Sequence, residues 1–231
     1  MAKLIECVPN ISSADAAVVE EIANEVRNTP GAVLLDVSSD CSHNRSVITF
    51  VGDPAGAEEA AVRLAKAAAA KIDMTKHRGE HPRMGAVDVI PFIPIRETSM
   101  EECVALSRRA GERIWREAGI PVFLYEASAT APNRENLAAI RKGQFEGMPE
   151  KMLQPEWEPD FGGRKIHPTA GVVAVGARAP LIAFNINLST SDVTIADKIA
   201  RVVRYSGGGL SCVKAIGVLL KERNTAQVSI N

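Results

Sequence analysis

Twelve consecutive residues hold the densest set of groups able to do chemistry: His77-Arg78-Gly79-Glu80-His81-Pro82-Arg83-Met84-Gly85-Ala86-Val87-Asp88. An imidazole is the side chain that titrates near neutral pH. Glycines let the backbone take shapes that other residues resist, and Pro82 stiffens the chain directly after His81. Such a loop can pin His81 against a ligand as a proton-transfer group, with Glu80 and Arg83 beside it. The alternative is a solvated loop whose charges pair with one another. His77-x-x-Glu80-His81 also fits the inverted zincin pattern. That pattern needs one helix to bring both histidines onto one face, and Gly79 and Pro82 oppose a helix there. A metal is therefore not expected.

Two further clusters could serve the first. Asp36, Ser38, Asp40, His43, Asn44 and Arg45 lie around a turn between two strands. They read either as an ordinary Asp/Ser/Asn-rich turn or as a polar rim facing His81, with Arg45 available for a carboxylate. Cys41-x-His43 has no partner pair at metal-ligand spacing. The third cluster is Gly162-Gly163-Arg164-Lys165-Ile166-His167-Pro168-Thr169-Ala170-Gly171, followed by Gly176-Ala177-Arg178. It is basic and glycine-rich and lacks the spacing of a nucleotide P-loop. It lies between two structural units, where ligands often bind. Gly207-Gly208-Gly209 reads as a flexible connection, and Trp115 and Trp157 as packing residues.

The elements around these clusters follow from periodicity and punctuation. Leu4–Val8 is a strand stopped by Pro9-Asn10, and Ser12 with Asp15 opens a helix to about Arg27. Ala32–Val37 reads as a buried strand and Ser46–Val51 as its β-branched neighbour. An Ala-rich helix follows from about Ala55 to Ile72. Val87–Ile95 is apolar but contains Pro91 and Pro94, which places it at an edge or interrupts it. Ser99 and Glu102 form a capping box for a helix that buries Cys103, Leu106, Ala110 and Ile114. Val122–Tyr125 is a strand, so the first 125 residues read β-α-β-β-α-β-α-β. Residues 130–168 are less regular. A second unit starts near Val172: Leu181–Leu188 is a strand, Ser191–Arg204 a helix with Ile195, Ile199 and Val202 inward, and two strands follow.

The bulk composition excludes several classes. The chain has 231 residues, 46% hydrophobic and 24% charged, which is the balance of an ordinary soluble globular protein with room for a sizeable core; its order of elements makes it α/β. A net charge of −1 argues against a general grip on nucleic acid or an anionic membrane surface. No apolar run reaches the roughly 18–20 residues that span a bilayer. The first ten residues lack a signal-peptide pattern, and four scattered cysteines favour reduced thiols. A cytoplasmic protein is expected.

Taken together, the segments resemble the glutamate formimidoyltransferase family. The blocks are IECVPN (5–10), NRSVITFVG (44–52), RGEHPRMGAVDVIPFIPI (78–95), EWEPDFG (156–162), VGARAPLIAFNINL (175–188) and a terminal AQVSIN, with HPRMGAVDV the most specific. The resemblance implies transfer of a formimino group from N-formimino-L-glutamate to N5 of tetrahydrofolate in histidine breakdown, by a homodimer. It implies two consecutive ferredoxin-like β-α-β-β-α-β subdomains, here 1–179 and an incomplete 180–231, and no cyclodeaminase domain. The family's catalytic histidine matches His81, and its folate-contacting stretch matches Gly162–Gly171. A family aspartate falls at Ser38, leaving Asp36 or Asp40 to replace it.

The chemistry suits the cluster. An amine nitrogen must attack an amidine carbon, and a tetrahedral adduct must then lose a second amine; each step moves a proton near neutral pH. His81 would carry it, with Glu80 or Asp40 setting its pKa. Arg45, Arg83 and Arg178 would fork the carboxylates of glutamate and of the folate tail. A catalytically inactive folate-binding module is the rival reading.

Overall fold

A computed structural model describes residues 2–231. The chain divides into two compact units that meet in sequence at Ala179 and Pro180.

In the first unit the strands are β1 (Leu4–Cys7), β2 (Asn10–Ile11), β3 (Ala32–Asp40), β4 (Arg45–Gly52), β5 (Val87–Arg96), β6 (Val122–Glu126) and β7 (Val173–Ala177). The long helices are α1 (Ala16–Arg27), α2 (Pro54–Lys71) and α3 (Met100–Ala118). β1 and β2 act as one strand broken at Val8-Pro9; both pair antiparallel with β4 on one side and β5 on the other. β3 closes one edge against β4, and β7 and β6 extend the other side of β5 in parallel. Apolar residues of α1, α2 and α3 fill one face of the sheet over Ile5, Ile48, Phe50, Ile90 and Val175. The irregular stretch after β6 covers part of the opposite face with α4 (Leu137–Arg141) and α5 (Gln144–Lys151). There Ile140, Met148 and Met152 pack on Val89, Phe123, Tyr125 and Ala174.

Several expectations need correction. β5 is a central strand in spite of its two prolines. The carbonyl of Pro91 takes the Val8 N–H at 3.4 Å, so its nitrogen faces the break between β1 and β2. Pro94 points the other way, past the last β5–β7 pair, Phe92 with Ala177. Each missing donor falls where the ladder asks for none. β3 is an exposed edge rather than a buried strand: Val33 and Leu35 are 60% and 57% accessible. Asp15, not Ser12, caps α1, accepting the N–H groups of Ala17 and Val18. The capping box at Ser99 and Glu102 forms as expected, and Cys103, Leu106, Ala110 and Ile114 are buried. Val173–Ala177 belongs to the first sheet, between β5 and β6.

The second unit is a three-stranded antiparallel sheet of β8 (Phe184–Asn187), β10 (Thr225–Ile230) and β9 (Ala215–Leu220), in that order, with one helix, α6 (Val193–Val203). α6 turns Ala196 and Ala200 to the sheet, against Ala226 and Val228. Ile195, Ile199 and Val202, expected inward, are 42%, 37% and 73% accessible. Helix and sheet approach too closely for large side chains: a Cβ at Gly217 would meet the Asp197 nitrogen at 2.6 Å. Gly207–Gly209 form a hydrogen-bonded turn on Arg204 and Tyr205, not a loose connection. Among the described residues, no helix is long and apolar enough to cross a membrane.

Candidate active site

The loop before β5 is stitched to the turn between β3 and β4. Asn44 sits at φ 45°, a left-handed conformation asparagine tolerates. Its Oδ1 accepts the Ala14 N–H at 2.9 Å, and its Nδ2 donates to Arg78 O at 2.9 Å. The Glu80 N–H donates to Ser42 O. On the other side, Gly85 lies against the strand that follows the third cluster. A Cβ there would stand 2.0 Å from Val172 O, so only glycine permits this approach. The Ala86 N–H donates to Ala170 O, and Gly85 bridges Gly171.

His77 is buried inside this loop. Its Nε2 donates to Asn44 O at 2.9 Å, and its Nδ1 accepts from Arg83 Nε at 3.1 Å. Both nitrogens are thus used, and no helix runs from His77 to His81, so the zincin pattern is not formed. Arg83, expected to fork a substrate carboxylate, instead binds Glu146 bidentately at 2.6 and 2.8 Å and also holds Gln144. Those bonds hold the Glu146 carboxyl down to about 2. Arg83 is a fastener between the loop and α5.

His81 stands at the bend. Its Nδ1 lies 2.6 Å from Pro82 O. A carbonyl can only accept, so Nδ1 carries the hydrogen and Nε2 keeps a free lone pair. The ring meets the His43 ring edge-on, centroids 5.6 Å apart. His43 is held in turn by Asp40, whose Oδ1 accepts the His43 N–H at 2.8 Å. Of the two candidate replacements at the Ser38 position, Asp40 therefore reaches His81 through His43, whereas Asp36 pairs with Thr49 out on the β3 edge. Burial pushes the His81 imidazole down to about 4, and the Arg45 and Arg141 guanidiniums push the same way. Among the charges that act on its basicity, Arg45 and Arg141 oppose protonation and Asp88 favours it.

Asp88 is the residue that the sequence reading left without a role. It is fully buried on β5. Its Oδ2 accepts from Arg45 Nη1 at 2.8 Å and from Arg141 Nη2 at 2.5 Å, and its Oδ1 takes the Met84 N–H at 3.1 Å. Burial alone would raise this carboxyl, but Arg141 and Arg45 outweigh it and hold it ionised, below the usual range. Arg45 Nε donates to Asn10 Oδ1, which fixes the fork from the strand side. Arg141 ends α4, and Lys151 anchors that end by donating to the carbonyls of Ala139, Ile140 and Lys142. The Lys151 ammonium also sits 3.8 Å over the Trp157 ring.

Arg178 and the exposed start of the third cluster have no bond to Asp88, Arg45 or Arg141 among the described residues. Arg178 follows the far end of β7, where its N–H bonds Phe92 O and its Nη1 bonds Ala179 O. In the third cluster, His167 Nδ1 accepts the Ala170 N–H at 2.9 Å and closes a tight turn to Gly171. That turn meets the His81 loop at Gly85, while Gly163, Arg164 and Lys165 are exposed.

Residues 4–178 match the family described as the formiminotransferase domain, N-terminal subdomain, and residues 183–231 match the formiminotransferase domain. The chain belongs to the formiminotransferase family. A Streptococcus pyogenes serotype M1 protein named glutamate formimidoyltransferase is 60% identical over 232 residues, covering all of this chain and 78% of the relative. A Thermoplasma acidophilum protein of the same name is 48% identical over 231 residues, covering 99% of the chain and 76% of the relative. The formimidoyltransferase-cyclodeaminase of Mus musculus is 48% identical over 238 residues, covering the whole chain but 44% of that longer protein. In this formiminotransferase chain, the Asp88 cluster and the His81 loop together can hold anions beside an uncharged imidazole.

Proposed function

We propose that this chain is a glutamate formimidoyltransferase that moves the formimino group of N-formimino-L-glutamate to N5 of tetrahydrofolate, releasing glutamate. Similarity along the whole of this chain, at 60% identity to a relative of that name, carries the reading. The neutral His81 ring supports it chemically. The N5 amine attacks the formimino carbon and becomes positively charged as the tetrahedral adduct forms. His81 Nε2 takes the N5 proton. It then delivers that proton to the glutamate nitrogen as the carbon–nitrogen bond to glutamate breaks. A ring whose Nδ1–H is fixed on Pro82 O presents Nε2 for both transfers. Positioned proton transfer of this kind is worth about 10²–10⁴-fold.

The exposed Gly163–Lys165 stretch, within Gly162–Gly171, is the proposed contact for folate. Service in histidine degradation, a cytoplasmic location and a homodimer belong to the same proposal, with N-formimino-L-glutamate and tetrahydrofolate as the small-molecule substrates. The experiment is His81→Ala assayed for formimino transfer, with tetrahydrofolate binding measured by calorimetry. Transfer should be lost and folate binding kept. Turnover at the parent rate would remove His81 from the mechanism.

A further inference from the structure

Asp88 balances only half of the positive charge it holds together. Two guanidiniums converge on one carboxylate, and the cluster carries a surplus of one positive charge. Donor capacity is also in surplus. A guanidinium has five N–H donors. Among the described residues, Arg45 bonds only through Nε to Asn10 and Nη1 to Asp88, and Arg141 only through Nη2 to Asp88. Arg141 Nε is buried with no partner at all. A buried donor left unpaired costs stability; Arg134 Nε and Arg204 Nε are orphaned too, so it is the surplus charge and the convergence of two forks on Asp88 that set Arg141 apart. Neither arginine is sealed off: their side chains are 11% and 17% accessible.

We propose that Arg45 and Arg141, held in place by Asp88, form the subsite that takes a carboxylate of the glutamyl substrate beside His81. The inference rests on the transferase reading and adds the residues that select the substrate. A carboxylate is the planar, singly charged acceptor that a pair of arginine forks fits. It supplies the missing negative charge and uses the idle donors. Asp88 is a positioning residue here, since it orients both forks and touches no substrate. Two other titratable or charged groups beside this loop already have partners of their own. The His43 ring faces Asp40, with Nδ1 3.6 Å from Oδ2, and the Arg83–Glu146 pair is closed on itself. An anion on this subsite also relieves the imidazole of the surplus charge that opposes its protonation. His81 would then accept a proton more readily once substrate has bound.

A glutamyl carboxylate can arrive with the formimino donor or with the tail of tetrahydrofolate, and the test separates them. Arg141→Met and Arg141→Lys are each assayed for KM against the donor and against tetrahydrofolate, and L-glutamate binding is measured by calorimetry without turnover. The subsite predicts that Arg141→Met weakens L-glutamate binding and raises the donor KM about tenfold to a hundredfold, the worth of charge-assisted hydrogen bonds. Arg141→Lys, which keeps the charge and loses the fork, should fall between. A rise confined to the tetrahydrofolate KM, with L-glutamate binding kept, would overturn the donor as occupant and assign the fork to the folate tail. Both KM values and L-glutamate binding staying within twofold of the parent would overturn the subsite, even with kcat reduced. Because glutamate binding needs no transfer, its loss or retention is read separately from any failure of the parent protein to transfer formimino groups.

Discussion

Replacing Asp88 with asparagine keeps the shape of the side chain and removes its charge. Two guanidiniums, both largely buried, then lose the anion on which they converge. Breaking a buried pair by removing one partner costs about 3–5 kcal/mol, because an uncompensated charge stays behind. Both arginines keep some solvent contact and an asparagine oxygen can still accept the Met84 N–H, so about 3 kcal/mol is expected. Urea denaturation followed by tryptophan fluorescence measures it. Trp115 and Trp157, the two tryptophans, both lie in the first unit, which holds Asp88. The sign of the pH dependence follows from linkage. Asp88 titrates lower folded than unfolded, so its contribution is present above the unfolded value of about 3.9 and is lost as pH falls through the folded one. The gap between parent and Asp88→Asn should therefore be full at pH 7 and shrink below about pH 4. A loss under about 1 kcal/mol at pH 7 would refute the argument that this carboxylate holds the cluster together.

Two further outcomes follow from the loop. Arg83→Met removes the fastener to Glu146 and His77 and should destabilise the first unit by about 1.5–3 kcal/mol, the worth of hydrogen bonds to charged groups; thermal unfolding checks it, and an unchanged Tm contradicts it. Gly85→Ala forces a methyl to within 2.0 Å of Val172 O, so the Gly85–Gly171 bridge must open. Amide hydrogen exchange should then be faster at Ala86 and Val172, and unchanged protection would contradict the packing.

Strand and helix order through the first 125 residues follows from period, caps and breakers, and Ser99 with Glu102 behaves as its spacing says. Sequence and structure part where tertiary pairing decides. Ala32–Val37 has the composition of a buried strand, but among the described residues it pairs with β4 alone. Pro91 and Pro94 look incompatible with a central strand until their unused donor positions are matched to the gap at Val8-Pro9 and to the end of β7. On α6, alanines proved to be the inward residues because Gly217 brings the backbones close. At the site, the His81 loop stands out locally, but the groups that tune it do not. Arg141 is 53 residues from Asp88. One local signal was available: Asp88 is the lone charge in the apolar run Val87–Ile95, and a charge buried in a strand demands a partner.

The protonation state of His81 is the centre of this account, and nitrogen-15 NMR of the imidazole reads it directly across pH. At pH 7 the ring should be neutral with hydrogen on Nδ1 and a bare Nε2, and its titration should fall near pH 4. A midpoint near the ordinary value of about 6.5, or hydrogen on Nε2 in the neutral ring, would contradict the account.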